Sequence, residues 1–377
     1  MKWFSCPFRT SKRSHKNYVN AKPGLSRYAT AADTMLEIFN LFITPDMKDV
    51  ICRHTNEEAV KFYADWKAKH PDADNEWKLL QIEELDCFIA ILIKAGALRC
   101  RRESTREMWT RDASIRRSFF TASMSVNRYE LISKFIRFDD KATRAERKAH
   151  DKLAAIRQIW ELFVASCIKN FVPYEHLTVD EQLVAFRGKC PFRQYMKSKP
   201  ARYGIKIWAA ADVKTSYICN LQVYTGKGLD NVREKDQGLR VVKDLTQPYK
   251  GSWRGITTDN FFTSVGLAKY LLESKLTLLG TVRKNKPDTP AEISVKSRPE
   301  KSSMFAFTKD ITMVSYIPKK GKMVHLLSTQ HDDDIVSEAD DNKPIMILDY
   351  NKTMGAVDNA DKLVREYSCA RRTKRWP

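Results

Sequence analysis

The period of the apolar residues changes once along this chain, near His176, and that change limits the folds that the chain can adopt. From Ala32 to about Phe171, apolar side chains recur at helical spacing and strand signals are nearly absent. After His176, runs rich in β-branched and aromatic residues predict strands instead. The chain therefore divides into an all-helical domain and a later part that contains a sheet.

Several helices of the first part have recognisable ends. Pro45 is expected to end a first helix, Asp46 to cap the next one, and Ser125 to cap a later helix. A long apolar helix is predicted over 79–98 and is expected to be central to the domain. An amphipathic helix is predicted over 156–171.

The elements after His176 follow an order that indicates a fold. In chain order they are strands 176–183, 206–212 and 217–225, a helix 232–245, a short strand running into 257–259, a helix 265–273, a strand 276–282, strands near 312–316 and 324–328, an acidic loop 331–341, an apolar run 345–348 and a last helix from Val357. Three strands, helix, strand, helix, strand is the order of the ribonuclease-H-like fold, a mixed sheet flanked by helices. The predicted fold class is α/β: a ribonuclease-H-like core with an inserted small domain, preceded by the all-helical domain.

The charge of the chain points to a polyanionic partner. The formal net charge of the 377 residues is +20, and DNA or RNA is the first candidate for such an excess. Residues 1–31 hold seven lysines and arginines and no acid, which predicts a flexible basic arm. That arm could be a nuclear address, a phosphate-binding tail or only a solubilising leader. A basic surface without a nucleic-acid partner is the alternative.

Cysteine spacing and hydropathy exclude other classes. None of the eight cysteines is spaced as CxxC, so neither a zinc site nor a disulfide framework is indicated, and reduced thiols of an intracellular protein are expected. The most apolar window, 87–98, is too short for a membrane span and contains Lys94. The N-terminal charges precede no apolar run, so a secretory signal is not predicted.

The stretch 176–206 combines two features that suit chemistry on nucleic acid. Its strand leads into Asp180 and Glu181, and seven basic residues follow between Arg187 and Lys206. A carboxylate at a strand end can hold a divalent metal, and a basic loop beside it can hold a phosphate backbone. The alternative is a turn capped by Asp180, followed by a solvated basic surface.

Carboxylates recur at two further places in the predicted core. Asp259 follows the fourth strand, and Asp358 opens the last helix with Asp361 one turn later. In a ribonuclease-H-like sheet these places converge with Asp180 at one edge, where the acids could hold two Mg²⁺ or Mn²⁺ ions roughly 3.5–4 Å apart. One ion would activate the attacking water or sugar hydroxyl and the other would stabilise the leaving oxygen. Alternatively, Asp259 caps the helix that follows and Asp358 is an ordinary helix N-cap.

Several long motifs resemble one family of proteins, in the same order and at similar separations. They are TVDEQLVAFRGKCPFRQY, KPARYGIKIW, ITTDNFFTS, GTVRKNK, MFAFTKDITMVSYIPKKGKMVHLLS and GAVDNAD. Together they closely resemble the transposase of the piggyBac elements. The resemblance is strong from about Asp151 to Pro377 and weaker, but continuous, back to about Ala32.

This resemblance implies a DDE/D-type DNA transposase that cuts at element ends, forms hairpin intermediates and inserts at TTAA targets. The catalytic acids that it implies are Asp180, Asp259 and Asp358. It matches four basic positions to DNA contacts in the family, although a solvated surface residue is the alternative at each: Arg187, Lys189, Arg283 and Lys286. Double-stranded DNA, a second copy of the chain in a homodimer and a nuclear location are the expected partners and place.

The resemblance also assigns domains. They are a basic arm (1–31), a helical dimerisation and DNA-binding domain (32–175), the first part of the catalytic core (176–283), an insertion domain (284–340) and the end of the core (341–377), which reads as truncated because family members continue with further helices and often a zinc-binding end. Three functions are therefore open. The chain is a metal-dependent transposase, a domesticated or truncated DNA-binding protein without catalysis, or an interaction protein that dimerises through its helical domain.

Overall fold

The computed structural model describes residues 2–8, 19, 21–72, 74–228, 234–295, 297–371 and 376. They form two compact units. The sheet unit comprises 1–30, 167–184 and 205–361, and the helical unit comprises 31–166, 185–204 and 362–377. The five domains that the resemblance assigns are defined by function, and their boundaries remain predictions. In the described part of the chain, no helix has the length and apolar character needed to cross a membrane.

The helices begin and end close to where the apolar periods place them. In chain order they are α1 (Met35–Asn40), α2 (Pro45–Lys69), α3 (Ile82–Ala97), α4 (Thr105–Met108), α5 (Ser118–Ser123), α6 (Val126–Phe135), α7 (Arg144–His150), α8 (Arg157–Asn170), α9 (Gln237–Thr246), α10 (Val265–Glu273), α11 (Ile345–Thr353) and α12 (Ala356–Glu366). The predicted start of α9 at Val232 lies outside the described residues.

The strands fall mostly after His176, as predicted. In chain order they are β1 (Gly24–Leu25), β2 (Phe171–Val172), β3 (His176–Ala185), β4 (Gln194–Tyr195), β5 (Tyr203–Asp212), β6 (Ile218–Val223), β7 (Gly255–Thr258), β8 (Thr277–Val282), β9 (Ser303–Phe307), β10 (Thr312–Lys319), β11 (Lys322–Ser328), β12 (Val336–Ser337) and β13 (Lys343–Pro344).

The main sheet is mixed, which confirms the predicted fold class. Its order is β5-β3-β7-β8-β11-β10-β9, and β6 also pairs with β5. The central strands β3, β7 and β8 are parallel, whereas β8, β11, β10 and β9 pair antiparallel in turn. The strands of the predicted insertion thus continue the same sheet beyond β8.

The two faces of the sheet carry different helices. Leu177 and Val179 of β3 and Ile256 of β7 point to one face, where they pack in a common core with buried residues of α9 and α10. Side chains alternate along a strand, so Thr178 and Thr257 point to the opposite face. On that face Leu279, Val314 and Leu326 pack against α11, and Ala209 and Ala211 pack against Ala356 and Val357 of α12. The last two helices therefore cover the face that carries the polar positions of β3 and β7.

The start of α2 corrects one prediction. The Thr44 side chain, rather than that of Asp46, accepts the capping hydrogen bond, from the Met47 N–H at 3.4 Å. The first helix, α1, ends at Asn40, before Pro45, and Pro45 itself begins α2, because at the first helical position its missing N–H is not needed and its fixed φ suits the helix. The predicted Ser125 cap of α6 is confirmed, since its Oγ accepts a hydrogen bond from the Arg128 N–H at 3.3 Å.

Candidate active site

Asp180 and Asp259 each follow a paired residue of two neighbouring strands. In the parallel ladder of β3 and β7, Val179 is the partner of Thr258, so Asp180 of β3 and Asp259, just beyond the end of β7, are the next residues along the chain. Neighbouring strands are about 4.8 Å apart, and residues at matched positions point to the same face. The register therefore brings together two of the three predicted catalytic acids, on the face covered by α11 and α12.

Asp259 sits in a tight turn between β7 and α10. Its Oδ1 accepts a hydrogen bond from the Phe261 N–H at 2.8 Å, and its carbonyl accepts one from the Thr263 Oγ1 at 2.8 Å. Burial raises the pKa of the Asp259 carboxyl above its ordinary value, and repulsion from Glu181 adds to the rise, although the Phe261 N–H and Arg283 oppose it. The turn thus concentrates negative charge that a cation would offset.

Glu181 connects the acids to a lysine of the next strand. The Glu181 N–H donates to Oδ1 of Asp180 at 2.8 Å, which fixes that carboxylate against its own backbone. The Glu181 carboxylate lies 3.7 Å from the ammonium of Lys206 on β5. That ammonium also lies 5.3 Å from the ring centre of Phe261, in the turn after Asp259. Among the described residues, Lys206 is therefore the cation that pairs with Glu181.

Helix α11 is hydrogen-bonded to both β3 and β7, and no pattern in the sequence predicts these bonds. Thr178 Oγ1 donates to the carbonyl of Thr353, and Thr257 Oγ1 donates to the Thr353 hydroxyl at 2.8 Å. Burial raises the pKa of Tyr350, a hydrogen bond with Thr281 opposes the rise, and the charges of Asp259 and Asp180 add to it. Tyr350 therefore lies within electrostatic reach of both aspartates. The spacing of Tyr350 and Thr353, one turn apart, is the sequence signal that could have identified them.

Asp358 and Asp361 lie on α12, over the same face of the sheet. The carboxylate of Asp361 accepts a hydrogen bond from the Gln182 amide at 3.3 Å, and Gln182 is two residues beyond Asp180 on β3. Asp358 is exposed, one turn before Asp361. Among the described residues, however, no three acids, histidines or cysteines stand close enough together to hold a metal ion. Asp180 and Asp259 thus follow paired strand positions and both influence Tyr350, and Asp361 is linked to β3 through Gln182, but these acids do not form a three-acid set.

The donor chemistry of this face suits a hard divalent cation. Mg²⁺ and Mn²⁺ prefer carboxylate oxygens, and the sheet supplies two of them at adjacent positions. The raised pKa of Asp259 indicates that its charge is poorly compensated by the surrounding protein. The residues present therefore fit such an ion in kind.

The four predicted DNA-contacting residues occur on two loops. In the sheet unit, Arg283 and Lys286 follow β8 and line a cavity of about 210 Å³. The Arg283 Nε donates to the side chain of Asn260 at 3.0 Å, next to Asp259. In the helical unit, Arg187 and Lys189 are exposed in the loop between β3 and β4.

Comparison with known proteins places this geometry in context. A family model described as Transposase IS4 matches residues 34–377. The human PiggyBac transposable element-derived protein 3 is 27% identical over 378 residues, which cover 95% of this chain and 60% of that protein. The human PiggyBac transposable element-derived protein 2 is 22% identical over 320 residues, covering 79% of this chain and 52% of that protein. The chain thus spans less than two thirds of the length of these relatives.

A solved structure matches most of the chain. It is a piggyBac transposase in a synaptic complex with hairpin DNA, determined by cryo-electron microscopy. The likeness has a TM-score of 0.86 at 38% identity and covers 95% of this chain and 73% of that one. This match confirms the predicted ribonuclease-H-like fold.

Proposed function

The chain belongs to the piggyBac transposase family, and on that premise we propose that it cleaves and joins DNA strands with divalent metal ions at an aspartate site. One observation supports the proposal: the β3–β7 register pairs Val179 with Thr258, the residues that precede Asp180 and Asp259, and the start of α12 packs on the same sheet. Packing alone does not require acids at these places, since buried carboxylates cost free energy unless they are compensated.

Asp180, Asp259 and Asp358 would bind Mg²⁺ or Mn²⁺, and Asp361, one turn after Asp358, would be a further ligand. Bound there, the ions would supply Lewis acidity to the attacking and leaving oxygens of the phosphodiester. Burial raises the pKa of the Asp259 carboxyl and so opposes the ionised form, which is the form that binds a cation. The hydrogen bonds of Thr353 to β3 and β7 keep the two strand ends, and hence the first two acids, in register.

Double-stranded DNA is the proposed substrate, with cutting at TTAA-flanked ends. Its support is the net charge of +20 together with the basic side chains at Arg187, Lys189, Arg283 and Lys286. Each of these that contacts a phosphate should contribute about 0.9 to the slope of log affinity against log salt. Changing all four to glutamine should flatten that slope, whereas Lys309→Gln, an exposed lysine on the β9–β10 turn, should leave it unchanged. An unchanged slope in the fourfold variant would move DNA binding elsewhere.

A homodimer in the nucleus completes the proposal, with the likeness to a transposase in a synaptic complex as support for the dimer and the basic residues 1–31 as support for the location. Sedimentation with and without DNA tests the dimer, and imaging of the tagged chain tests the location. A single-chain mass in both conditions would refute the dimer.

A second function is favoured by one specific observation, namely that the described residues form no three-acid metal set. On this alternative, the chain binds DNA through its basic surface and does not cut it, as a domesticated descendant of a transposase would.

Strand cleavage separates the two functions. Wild type, Asp259→Asn and Asp334→Asn would each be incubated with Mn²⁺ and TTAA-flanked linear or hairpin DNA. The proposal predicts nicking or strand transfer that Asp259→Asn abolishes and that Asp334→Asn, an exposed acid of the 331–341 loop, retains. Tight salt-dependent binding by all three proteins without any cleavage would establish the second function instead.

A further inference from the structure

The turn after β11 is tied to the sheet where β7 and β8 begin. The hydroxyl of Ser328 accepts hydrogen bonds from the N–H groups of Gln330 and His331, at 3.0 Å and 3.2 Å. The Gln330 amide donates to the hydroxyl of Thr277, the first residue of β8, at 2.9 Å. The carbonyl of His331 accepts a hydrogen bond from the hydroxyl of Thr312, the first residue of β10, at 2.7 Å. The backbone of His331 is therefore fixed to the sheet.

The side chain of His331 joins this turn to α11. Its Nδ1 lies 2.8 Å from the Ser328 hydroxyl, and its Nε2 lies 3.1 Å from a carboxylate oxygen of Asp349. Because the Ser328 hydroxyl already accepts two N–H groups, its own hydrogen is directed to Nδ1, and Nε2 then carries the hydrogen that Asp349 accepts. The imidazole is 13% exposed, so water competes little for either bond. One side chain thus links a fixed point of the sheet to the helix.

The same helix is bonded to the strands that lead to the candidate catalytic acids. One turn after Asp349, the Thr353 hydroxyl donates to the Asp349 carbonyl at 2.8 Å. Thr353 in turn accepts hydrogen bonds from Thr178 of β3 and Thr257 of β7. Hydrogen bonds therefore connect His331, through Asp349 and Thr353, to both strands.

His331 lies at the opposite end of these strands from the acids. Its turn is bonded to the first residue of β8, which pairs with the first residue of β7. Asp259, in contrast, follows the last residue of β7. Any effect of His331 on the acids is therefore one of position, transmitted by α11.

We propose that His331 is a positioning residue for the metal site. Through Asp349 it fixes α11 along the sheet, and through Thr353 the helix fixes the strand positions two residues before Asp180 and Asp259. The inference rests on the proposed function and adds to it a residue that touches neither metal nor DNA. Residues that orient the groups around a metal typically change metal affinity or activity by about 10–100-fold when they are replaced.

Hydrogen exchange of the metal-free protein tests the positioning. His331→Leu removes both side-chain hydrogen bonds, whereas His331→Gln keeps an amide donor for the Asp349 carboxylate. The leucine variant should exchange the amides of α11 and of the turn 259–263 about tenfold faster than wild type, because a hydrogen bond to a charged group is lost. The glutamine variant should exchange as wild type. Lys352→Gln is the matched control on the same helix, since this exposed lysine lies 3.3 Å from Asp349, and it should also leave exchange unchanged.

Manganese binding and cleavage supply the functional measurement. In a titration followed by the thermal midpoint, His331→Leu should need about tenfold more Mn²⁺ than wild type for the same stabilisation. Its kcat for cleavage should fall while its KM for DNA stays unchanged, and His331→Gln should restore both properties. A merely structural histidine would lower only the midpoint of the metal-free protein. The Mn²⁺ requirement, and kcat measured below every midpoint, would then be those of wild type.

Unchanged exchange in His331→Leu would overturn the inference, and so would faster exchange confined to α11 or a glutamine variant that behaves as the leucine variant does. An unchanged Mn²⁺ requirement and kcat in His331→Leu would overturn it as well, although a wild type that binds Mn²⁺ and cuts DNA keeps the proposed function. Failure of the proposed function looks different, because a wild type that neither binds Mn²⁺ nor cuts DNA refutes cleavage. Exchange of the metal-free variants then still decides whether His331 positions the strand ends.

Discussion

Gly280→Ala should damage the active site from the strand behind it. Gly280 of β8 is the ladder partner of Thr258, the residue before Asp259. A Cβ at this position would lie 2.2 Å from Thr263 Oγ1, 2.8 Å from the Thr258 carbonyl oxygen and 2.8 Å from its Oγ1. These distances are shorter than any van der Waals contact. The methyl group can fit only if the turn that holds Asp259 moves.

The structure sets the magnitude of this effect. Thr258 and Thr263 share a hydrogen bond of 2.7 Å between their hydroxyls, and Thr263 also donates to the Asp259 carbonyl. Overpacking of this kind costs about 1–3 kcal/mol. The thermal midpoint should therefore fall by roughly 2–10 °C. Below that midpoint, Mn²⁺-dependent cleavage should also be lost, because Asp259 no longer lies beside Asp180.

Gly266→Ala is the matched control for this change. Its added Cβ would meet Leu239 Cδ1 at 3.5 Å, an ordinary contact, within the first turn of α10. Alanine there should be neutral or stabilise the fold by about 0.4–1 kcal/mol and leave cleavage intact. Thermal melts and cleavage at one temperature below all the midpoints decide the matter. If Gly280→Ala melts and cuts as Gly266→Ala does, the close packing behind Asp259 has no role in the site.

Three other predictions concern charge and buried hydrogen bonds. Because the folded-state pKa of Asp259 is raised, its ionised form lowers the free energy of unfolding. This loss of stability is absent below the unfolded-state pKa, grows as the pH rises and is complete above the folded-state pKa. Asp259→Asn should therefore melt at a higher temperature than wild type at neutral pH without metal, with a difference that vanishes in acid; a constant difference across pH would contradict this. Glu181→Gln removes a repulsion that raises the pKa of Asp259, so the acid limb of the cleavage–pH profile should move to lower pH, and a move to higher pH would contradict the assignment. Arg254 is buried and donates to the carbonyls of Pro173 and Tyr174 at 2.7 Å and 2.9 Å, so Arg254→Lys should lower the free energy of unfolding by about 1–3 kcal/mol, measured in urea; an unchanged midpoint would show that lysine replaces both bonds.

Local patterns were sufficient to predict the core of the fold. Leu177 and Val179 alternate along β3, and the β-branched residues Ile256, Thr257 and Thr258 mark β7. The order of strands and helices then limits the topology to a mixed sheet. The pairing register of β3 and β7 could not be predicted, because it depends on both strands together and not on either one alone.

Helix α11 shows where local patterns fail. The run 345–348 is apolar but short, and periodicity cannot distinguish a buried helix from a strand at that length. Its buried residues Met346, Ile347 and Tyr350 show a helical spacing only when the polar residues after the run are included. As a result, the hydrogen bonds of Thr353 to β3 and β7 are not predicted from the sequence.

The division into units was also beyond the sequence, because it depends on contacts between distant residues. Residues 185–204 follow β3 directly, yet they belong to the helical unit. There Phe192 is buried and lies 5.1 Å from the ring of Trp376, nearly two hundred residues later in the chain. Local periodicity cannot predict a contact between residues so far apart in the chain.

The most direct test of the central claim is whether acids from three separate elements bind one kind of metal together. Thermal midpoints would be recorded with and without Mn²⁺ for wild type, Asp180→Asn, Asp259→Asn and Asp358→Asn, since a ligand that binds the native state raises the midpoint. The account predicts that Mn²⁺ raises the midpoint of wild type and that each substitution reduces or removes the gain. An equal gain in all four proteins would contradict it, because the metal would then bind elsewhere.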